Sequence, residues 1–267
     1  MARNPYAEIE NGQPGRIGCL IHYVEETSST QELARSLAAQ GAPQGTVVIA
    51  ERQSAGRGRM GRGWHSPPGV NLYLTVILRP RISLAEAARL SLVAGVAVAE
   101  AMETVAPGIV SLKWPNDVWL NGRKAGGIIA EAVTDARSGL SCVLLGIGLN
   151  VNLSAEQIPP ELRSRATSVL IATGRPCERV ALANSLFLRL DSRYMETETR
   201  GFAAVREAWE RYSALTGKRV TVVEAGTRHR GVVAGIDPDG ALLLDCEAGR
   251  QRIVAGDVTL EGAYDRD

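Results

Sequence analysis

Apolar positions along the chain recur first with a period of two, then with a period near 3.6, and the changes between these periods predict the order of elements. Residues 20–24 read as a strand, and Ser29-Thr30-Gln31-Glu32 as a capping box that opens a helix with Leu33, Ala34, Leu37 and Ala38 on one face and Gly41 at its end. Residues 46–51 form the next strand. Residues 71–79 alternate, with Leu72, Leu74, Val76 and Leu78 on one side, which predicts a half-buried strand. Ser83 and Glu86 make a second capping box ahead of an Ala-rich, buried helix that runs to about Thr104. Short strands over 110–113 and 117–120 flank Pro115, and Asn121-Gly122 marks a tight hairpin into a strand over 123–133. A strand over 141–152 and helices over 178–197 and 202–212 complete this region. Beyond Gly217 come short β-rich runs at 219–223, 231–236, 241–244 and 250–254, separated by Gly and Asp turns, which suggests a small barrel. A boundary near Thr216 divides the chain into domains over 1–215 and 216–267.

Composition narrows the class. The chain has 267 residues, 45% of them hydrophobic, enough for one large core and a small second domain. Thirty Lys and Arg against 29 Asp and Glu leave a net charge of +1, so any important positive charge is local rather than a bulk attraction to nucleic acid or membrane. Cys19, Cys142, Cys177 and Cys246 are scattered without CxxC spacing or a secretory leader, which argues against disulfides or a zinc site and for a reducing cytoplasm. The longest apolar stretch, 90–101, is too short to cross a bilayer. Residues 1–19 read as a loose, polar lead-in.

Three segments carry candidate chemistry. Gly56-Arg57-Gly58-Arg59-Met60-Gly61 matches GxGxxG after a strand, but Gly63, Pro67, Pro68 and Gly69 forbid the helix that a dinucleotide fingerprint requires. What remains is a flexible backbone with Arg57, Arg59 and Arg62, suited to wrapping an anion as a ligand-ordered lid; a solvated basic loop explains the composition equally well. In the second segment, 113–127, a two-residue Asn-Gly turn pairs Leu120 with Arg123, Trp119 with Lys124 and Asp117 with Gly126. Asp117 and Lys124 then become diagonal neighbours, ~7–8 Å apart, with Gly126 leaving ligand space between them. A carboxylate and an ammonium beside such a space suit phosphate and metal handling, although a surface ion pair on a hairpin has the same pattern. In the third, 145–152, Gly146, Gly148, Asn150 and Asn152 share one face, so either a flat ligand or a closely packed helix covers the glycines.

Together, in this order and spacing, the stretches GRGRMGRGW, KWPNDVWLNGRKAGG and GIGLNVN resemble the signatures of the biotin protein ligase family, strongly over 20–152 and more loosely in the β-rich tail. The resemblance implies an α+β catalytic domain of the class II synthetase type, a mixed sheet with packed helices, followed by an SH3-like domain. It implies an ATP- and Mg²⁺-dependent enzyme that makes biotinyl-5′-AMP and transfers biotin to a lysine of a biotin carboxyl carrier protein. Matching positions assign Ser29, Thr30, Gln53, Arg57, Lys124, Gly127, Gly146 and Gly148 to biotin, and Arg59, Arg62, Trp64, Asn116, Lys124 and Asn150 to ATP or the adenylate. Lys124, Arg59, Lys113 and Asp117 form the implied catalytic set, with Asp117 also the expected contact for Mg²⁺.

These residue types suit the reaction. A carboxylate near neutrality needs no general base to attack phosphorus; it needs its charge, and that of the α-phosphate, to be cancelled. A Gly/Arg lid then excludes water from the mixed anhydride, and Asp117 is the expected group to orient or deprotonate the acceptor lysine. About 20 residues precede the first strand, too few for a helix-turn-helix, so the expected type is monofunctional and does not bind operator DNA. Relatives that pair sheets edge to edge leave a homodimer open. The rivals are a lipoate or octanoate transferase of the same fold and a biotin sensor without turnover.

Overall fold

The computed structural model describes residues 4–135 and 139–261. Its larger sheet has seven strands: β1 (Leu20–Thr27), β2 (Thr46–Gln53), β3 (Leu72–Leu78), β4 (Val110–Lys113), β5 (Asp117–Leu120), β6 (Arg123–Asp135) and β7 (Gly139–Leu149), in the spatial order β1-β2-β3-β7-β6-β5-β4. Only β1 and β2 run parallel, because α1 (Thr30–Ala39) carries the chain back between them. The expected mixed sheet is therefore present.

Helices α2 (Arg89–Glu103), α4 (Arg179–Arg200) and α5 (Ala203–Tyr212) cover one face, with α3 (Val169–Thr173) a short element ahead of α4. On the other face α1 packs over β2, β3 and β7, enclosing Ala34, Val48, Ile77, Cys142 and Leu144. This second layer corrects the half-buried reading of β3: every residue of that strand is buried, with Leu72, Leu74, Val76 and Leu78 in the main core and Ile77 beneath α1. The lead-in is not loose either. Tyr6 and Ile17 are buried, the Ile17 N–H donates to Asp191, and Glu10 accepts from the Ile21 N–H of β1, so side chains tie this irregular segment to the fold.

The second sheet is antiparallel: β8 (Arg219–Glu224), β9 (Thr227–Ile236), β10 (Leu242–Cys246), β11 (Gly249–Ile253) and β12 (Asp257–Leu260), in the order β11-β10-β9-β8-β12. Its apolar face, which includes Val220, Val222, Val233, Leu242, Leu244, Ile253 and Val258, is continuous with the main core. The chain leaves the first sheet at Ala214, whose N–H donates to Leu112, and joins the second at Gly217, whose N–H donates to Val233. Trp114 ties the two together through an Nε1–H bond of 2.9 Å to the Gly240 carbonyl. Among the described residues no helix is long and apolar enough to cross a membrane.

Candidate active site

A cavity of about 900 Å³ opens on the α1 side of the large sheet. Gly146 and Gly148 of β7 and Gly127 of β6 form its floor, the α1 N-terminus and the Gly/Arg loop one wall, the β4–β5–β6 hairpins another, and residues 256–259 of the second sheet a third. The structure brings all fifteen residues that the family resemblance assigns to the site to this one cavity: Ser29, Thr30, Gln53, Arg57, Arg59, Arg62, Trp64, Lys113, Asn116, Asp117, Lys124, Gly127, Gly146, Gly148 and Asn150.

The wall at α1 is pre-organised. Ser29 caps the helix by accepting from the Gln31 N–H. Glu32 does not close a capping box; its carboxylate receives the Ser28 hydroxyl and pairs with Arg57 at 2.7 Å. Thr30 donates both its N–H, at 2.9 Å, and its hydroxyl, at 3.1 Å, to Gln53 Oε1, while Gln53 Nε2 donates to Ser66 and Thr75 donates to Thr30. The Gly/Arg loop folds back on itself, with Trp64 N–H on the Gly56 carbonyl at 2.8 Å and Met60 at the tip in the left-handed region. Gly56 is required for that approach, since a Cβ there would lie 2.7 Å from Ser66 Oγ and 2.8 Å from the Trp64 carbonyl.

The hairpin differs from expectation by one residue. Asn121 and Gly122 both have positive φ, as the tight turn requires, and Trp119 pairs with Lys124, but Asp117 faces Gly127 rather than Gly126. A bulge at Ala125 causes the shift. Lys124 gives its N–H to the Arg165 carbonyl and its own carbonyl to the Thr167 N–H, and the Ala125 carbonyl accepts from Asn150, so the backbone here pairs with other segments. The space on the cavity side therefore lies at Gly127. Asp117 and Lys124 are not held apart by a vacancy; Lys124 Nζ and Asp117 Oδ1 meet at 2.6 Å.

Three of the cations already hold carboxylates: Arg57 with Glu32, Arg62 with Asp257 and Lys124 with Asp117. Arg59 donates instead to the Asn116 amide oxygen at 3.2 Å. Lys113 lies 5.1 Å above the Trp119 ring and Lys124 5.5 Å above that of Trp64, both within cation–π range. Burial pushes the Lys113 ammonium below its ordinary range, partly opposed by the Asp117 charge. An arriving anion raises it again. Over the pH interval between those two positions, binding of a phosphate-bearing anion should therefore take up protons, and affinity should fall as pH rises through it. Calorimetry in buffers of different ionisation enthalpy checks this, and buffer-independent heats across the alkaline range would exclude it.

Above the floor, the Trp64 indole lies on Gly148 and Gly127, and the Gln31 amide on Gly146. Both of the alternatives open for the glycine face are thus partly realised: side chains of a helix and a loop approach closely, and a cavity remains. Asn150 lines the cavity and donates to the Thr167 carbonyl, whereas Asn152 turns away and exchanges hydrogen bonds with Cys177. Gln31, Trp119 and Asp257 also line the cavity. The sequence singles out none of these for ligand contact. Gln31 reads as part of a cap, and Asp257 opens a four-residue strand too short to register as a pattern.

Comparison with known proteins decides the family. Residues 23–150 match the biotin/lipoate A/B protein ligase family and residues 216–260 the biotin protein ligase C-terminal domain. A biotin–[acetyl-CoA-carboxylase] ligase from Paracoccus denitrificans is 37% identical over 88% of this chain and 98% of its own. The chain belongs to the biotin protein ligase family. A bifunctional ligase/repressor, BirA of Bacillus spizizenii, is also 37% identical, over 91% of this chain and 75% of its own. The solved biotin protein ligase of Aquifex aeolicus in complex with biotin and ATP superposes with a TM-score of 0.78 at 30% identity, covering 90% of this chain and 98% of that one. The α+β fold is therefore that of the biotin protein ligases, and this chain is a ligase by family.

Proposed function

We propose that this protein condenses biotin with ATP to biotinyl-5′-AMP and then transfers biotin to a lysine of a biotin carboxyl carrier protein in the cytoplasm. The observation that carries this reading is the convergence of Arg59, Lys113, Lys124 and the glycine floor in one cavity whose relatives include a ligase bound to biotin and ATP. Ser29, Thr30 and Gln53 offer a hydrogen-bonding end for the urea ring, the floor at Gly127, Gly146 and Gly148 a flat seat, and Arg57 a cation at the rim. Trp64, Asn116 and Asn150 flank the space assigned to the adenylate, with Arg62 at its edge.

In the first step a biotin carboxylate oxygen attacks the α-phosphorus, and the bond to the β-phosphate oxygen breaks, releasing pyrophosphate. Both reactants are anions. The work of the site is to place Lys124, Arg59 and Lys113 where negative charge concentrates, with Arg62 exchanging its carboxylate for phosphate oxygens and Lys124, which has three donors, reaching them while Asp117 keeps hold of it. Magnesium would be brought by ATP and would share the phosphate charge with these cations, Asp117 being the carboxylate placed to approach it; among the described residues no group of three His, Cys, Asp or Glu side chains suited to a metal gathers. In the second step the neutral amine of the carrier lysine attacks the anhydride carbonyl, the acyl C–O bond to the phosphate breaks, AMP leaves, and one of the amine's two protons passes to solvent as the amide forms.

Asp117 serves both steps by holding Lys124. Asp117→Asn is accordingly expected to slow adenylate formation as well as transfer, by about tenfold each, the scale of a lost charge-assisted hydrogen bond. Single-turnover transfer from preformed adenylate separates the two; a defect confined to transfer would make Asp117 the base for the acceptor lysine instead.

The test of the function is incubation with labelled biotin, ATP and Mg²⁺, followed by a biotin carboxyl carrier domain. Label should move to the carrier. Transfer of octanoate or lipoate but not biotin would keep the fold and overturn the substrate; biotin binding without adenylate would leave only a sensor.

A further inference from the structure

We infer that Gln31 is a biotin-recognition residue whose side-chain oxygen accepts a hydrogen bond from one N–H of the cyclic urea. The inference rests on the proposed biotin site and adds to it a contact and a basis for selectivity.

Gln31 stands one residue past Thr30 in the first turn of α1, and its amide lies flat across Gly146; a Cβ at that glycine would come within 3.1 Å of Gln31 Cδ and 3.2 Å of Oε1. The amide nitrogen points to the Leu144 carbonyl at 3.5 Å, which fixes the orientation of the group. Its oxygen is buried and has no hydrogen-bond partner, on a side chain that lines the cavity. A buried carbonyl left unpaired is unfavourable in the empty protein, and such groups concentrate where a ligand completes them.

The chemistry of the neighbouring groups says what the ligand should offer. A cyclic urea carries two N–H donors and one carbonyl acceptor, so its pocket needs two acceptors. Gln53 Oε1 is one, but it already accepts from both the N–H and the hydroxyl of Thr30. Gln31 Oε1, beside Thr30 on the same helix turn, is an acceptor with nothing to accept. A saturated acyl chain or a dithiolane ring has no N–H to give it and would leave the oxygen orphaned. A site that hydrogen-bonds a polar group in this way rejects analogues lacking that group far more strongly than an apolar pocket rejects a surplus atom. Gln31 therefore separates biotin from lipoate, the acid that the family's name sets beside it, and from any other acid without an N–H to donate.

Gln31→Met keeps the length and volume of the side chain and removes the acceptor. Its biotin dissociation constant, measured by calorimetry, should rise about tenfold or more with ATP affinity unchanged, while the melting temperature of the empty protein stays level or rises because an unpaired buried oxygen has gone. A structural role, through the Leu144 contact, predicts the opposite: a lower melting temperature and biotin affinity unchanged. That result overturns the inference. A second measurement removes the donor rather than the acceptor, using biotin methylated at one or the other ureido nitrogen. The wild type should discriminate against one isomer, and Gln31→Met should lose most of that discrimination; equal discrimination by both proteins also overturns the inference. Absence of biotin binding by the wild type itself would instead remove the reading beneath it.

Discussion

Lys124→Ala should lower the rate of biotinyl-adenylate formation by about 10²–10³-fold, the range found when one pre-organised charge donor is removed from a developing anion. The ammonium stands between the two features that define the site, 2.6 Å from Asp117 Oδ1 and 5.5 Å above the Trp64 ring. Its backbone is locked by bonds to Arg165 and Thr167, so the side chain starts from a fixed point. Stability should change little. The Lys124 side chain is 36% exposed, and an ion pair this open to water contributes only about 0–1 kcal/mol. Lys124→Arg should not restore the rate, because a planar fork cannot take the place of a compact ammonium over an indole face. Pyrophosphate release under single-turnover conditions, with a melting curve beside it, tests both halves. An alanine variant that makes adenylate at the wild-type rate removes Lys124 from the chemistry, and one that melts far lower makes the rate uninterpretable as a catalytic loss.

The sequence carried the architecture wherever a local pattern had one structural outcome. The strands at 110–113 and 117–120 have the expected bounds because proline and Asn-Gly punctuate them on both sides. Where distant segments decide the outcome, local reading failed. The register of β5 on β6 slips at Ala125 because segments around Thr167 and Asn150 take backbone groups that a simple hairpin would pair internally. β3 looks half-buried in isolation, and only the return of α1 over Ile77 and Thr75 buries its second face. The lead-in looks loose until Asp191 takes the Ile17 N–H and Glu10 reaches from it to the Ile21 N–H of β1. β12 escapes the sequence reading because a four-residue edge strand gives no usable period.

The site was more legible than the contacts within it. Most of its residues fall in three short, chemically unusual stretches, while Ser29, Thr30 and Gln53 and every individual role came only with the resemblance to the family. Which cation meets which carboxylate was not legible: Arg62 finds Asp257 across 195 positions, and that partnership depends on how the second sheet is set against the first. Orphaned polar atoms are invisible in a sequence for the same reason. Gln31 differs from an ordinary helix residue only through what fails to surround its oxygen.

Gly148→Val should abolish measurable biotin binding, a loss above about 100-fold, while reducing stability by about 1–3 kcal/mol, the usual cost of overpacking a filled interior. Gly148 lies mid-sheet, paired with Tyr73 on one side and Gly127 on the other, so the strand cannot move to make room. A Cβ there would sit 2.7 Å from Trp64 Nε1 and 2.8 Å from Cε2. The indole has to leave, and it can, because Trp64 belongs to the Gly/Arg loop rather than to the sheet. With it goes the aromatic face under Lys124, and the valine methyls then occupy the seat proposed for the ligand. The modest stability loss distinguishes this position from Gly126, where an added Cβ meets Leu149 at 2.6 Å and Val118 at 3.3 Å within the core and a larger loss of stability is expected. Calorimetric titration with biotin, alongside the tryptophan signal in the near-ultraviolet circular dichroism, reads binding and displacement together. Wild-type biotin affinity with a displaced indole would mean that the ligand does not lie on this floor, and the assignment of Gly127 and Gly148 to biotin would have to be withdrawn.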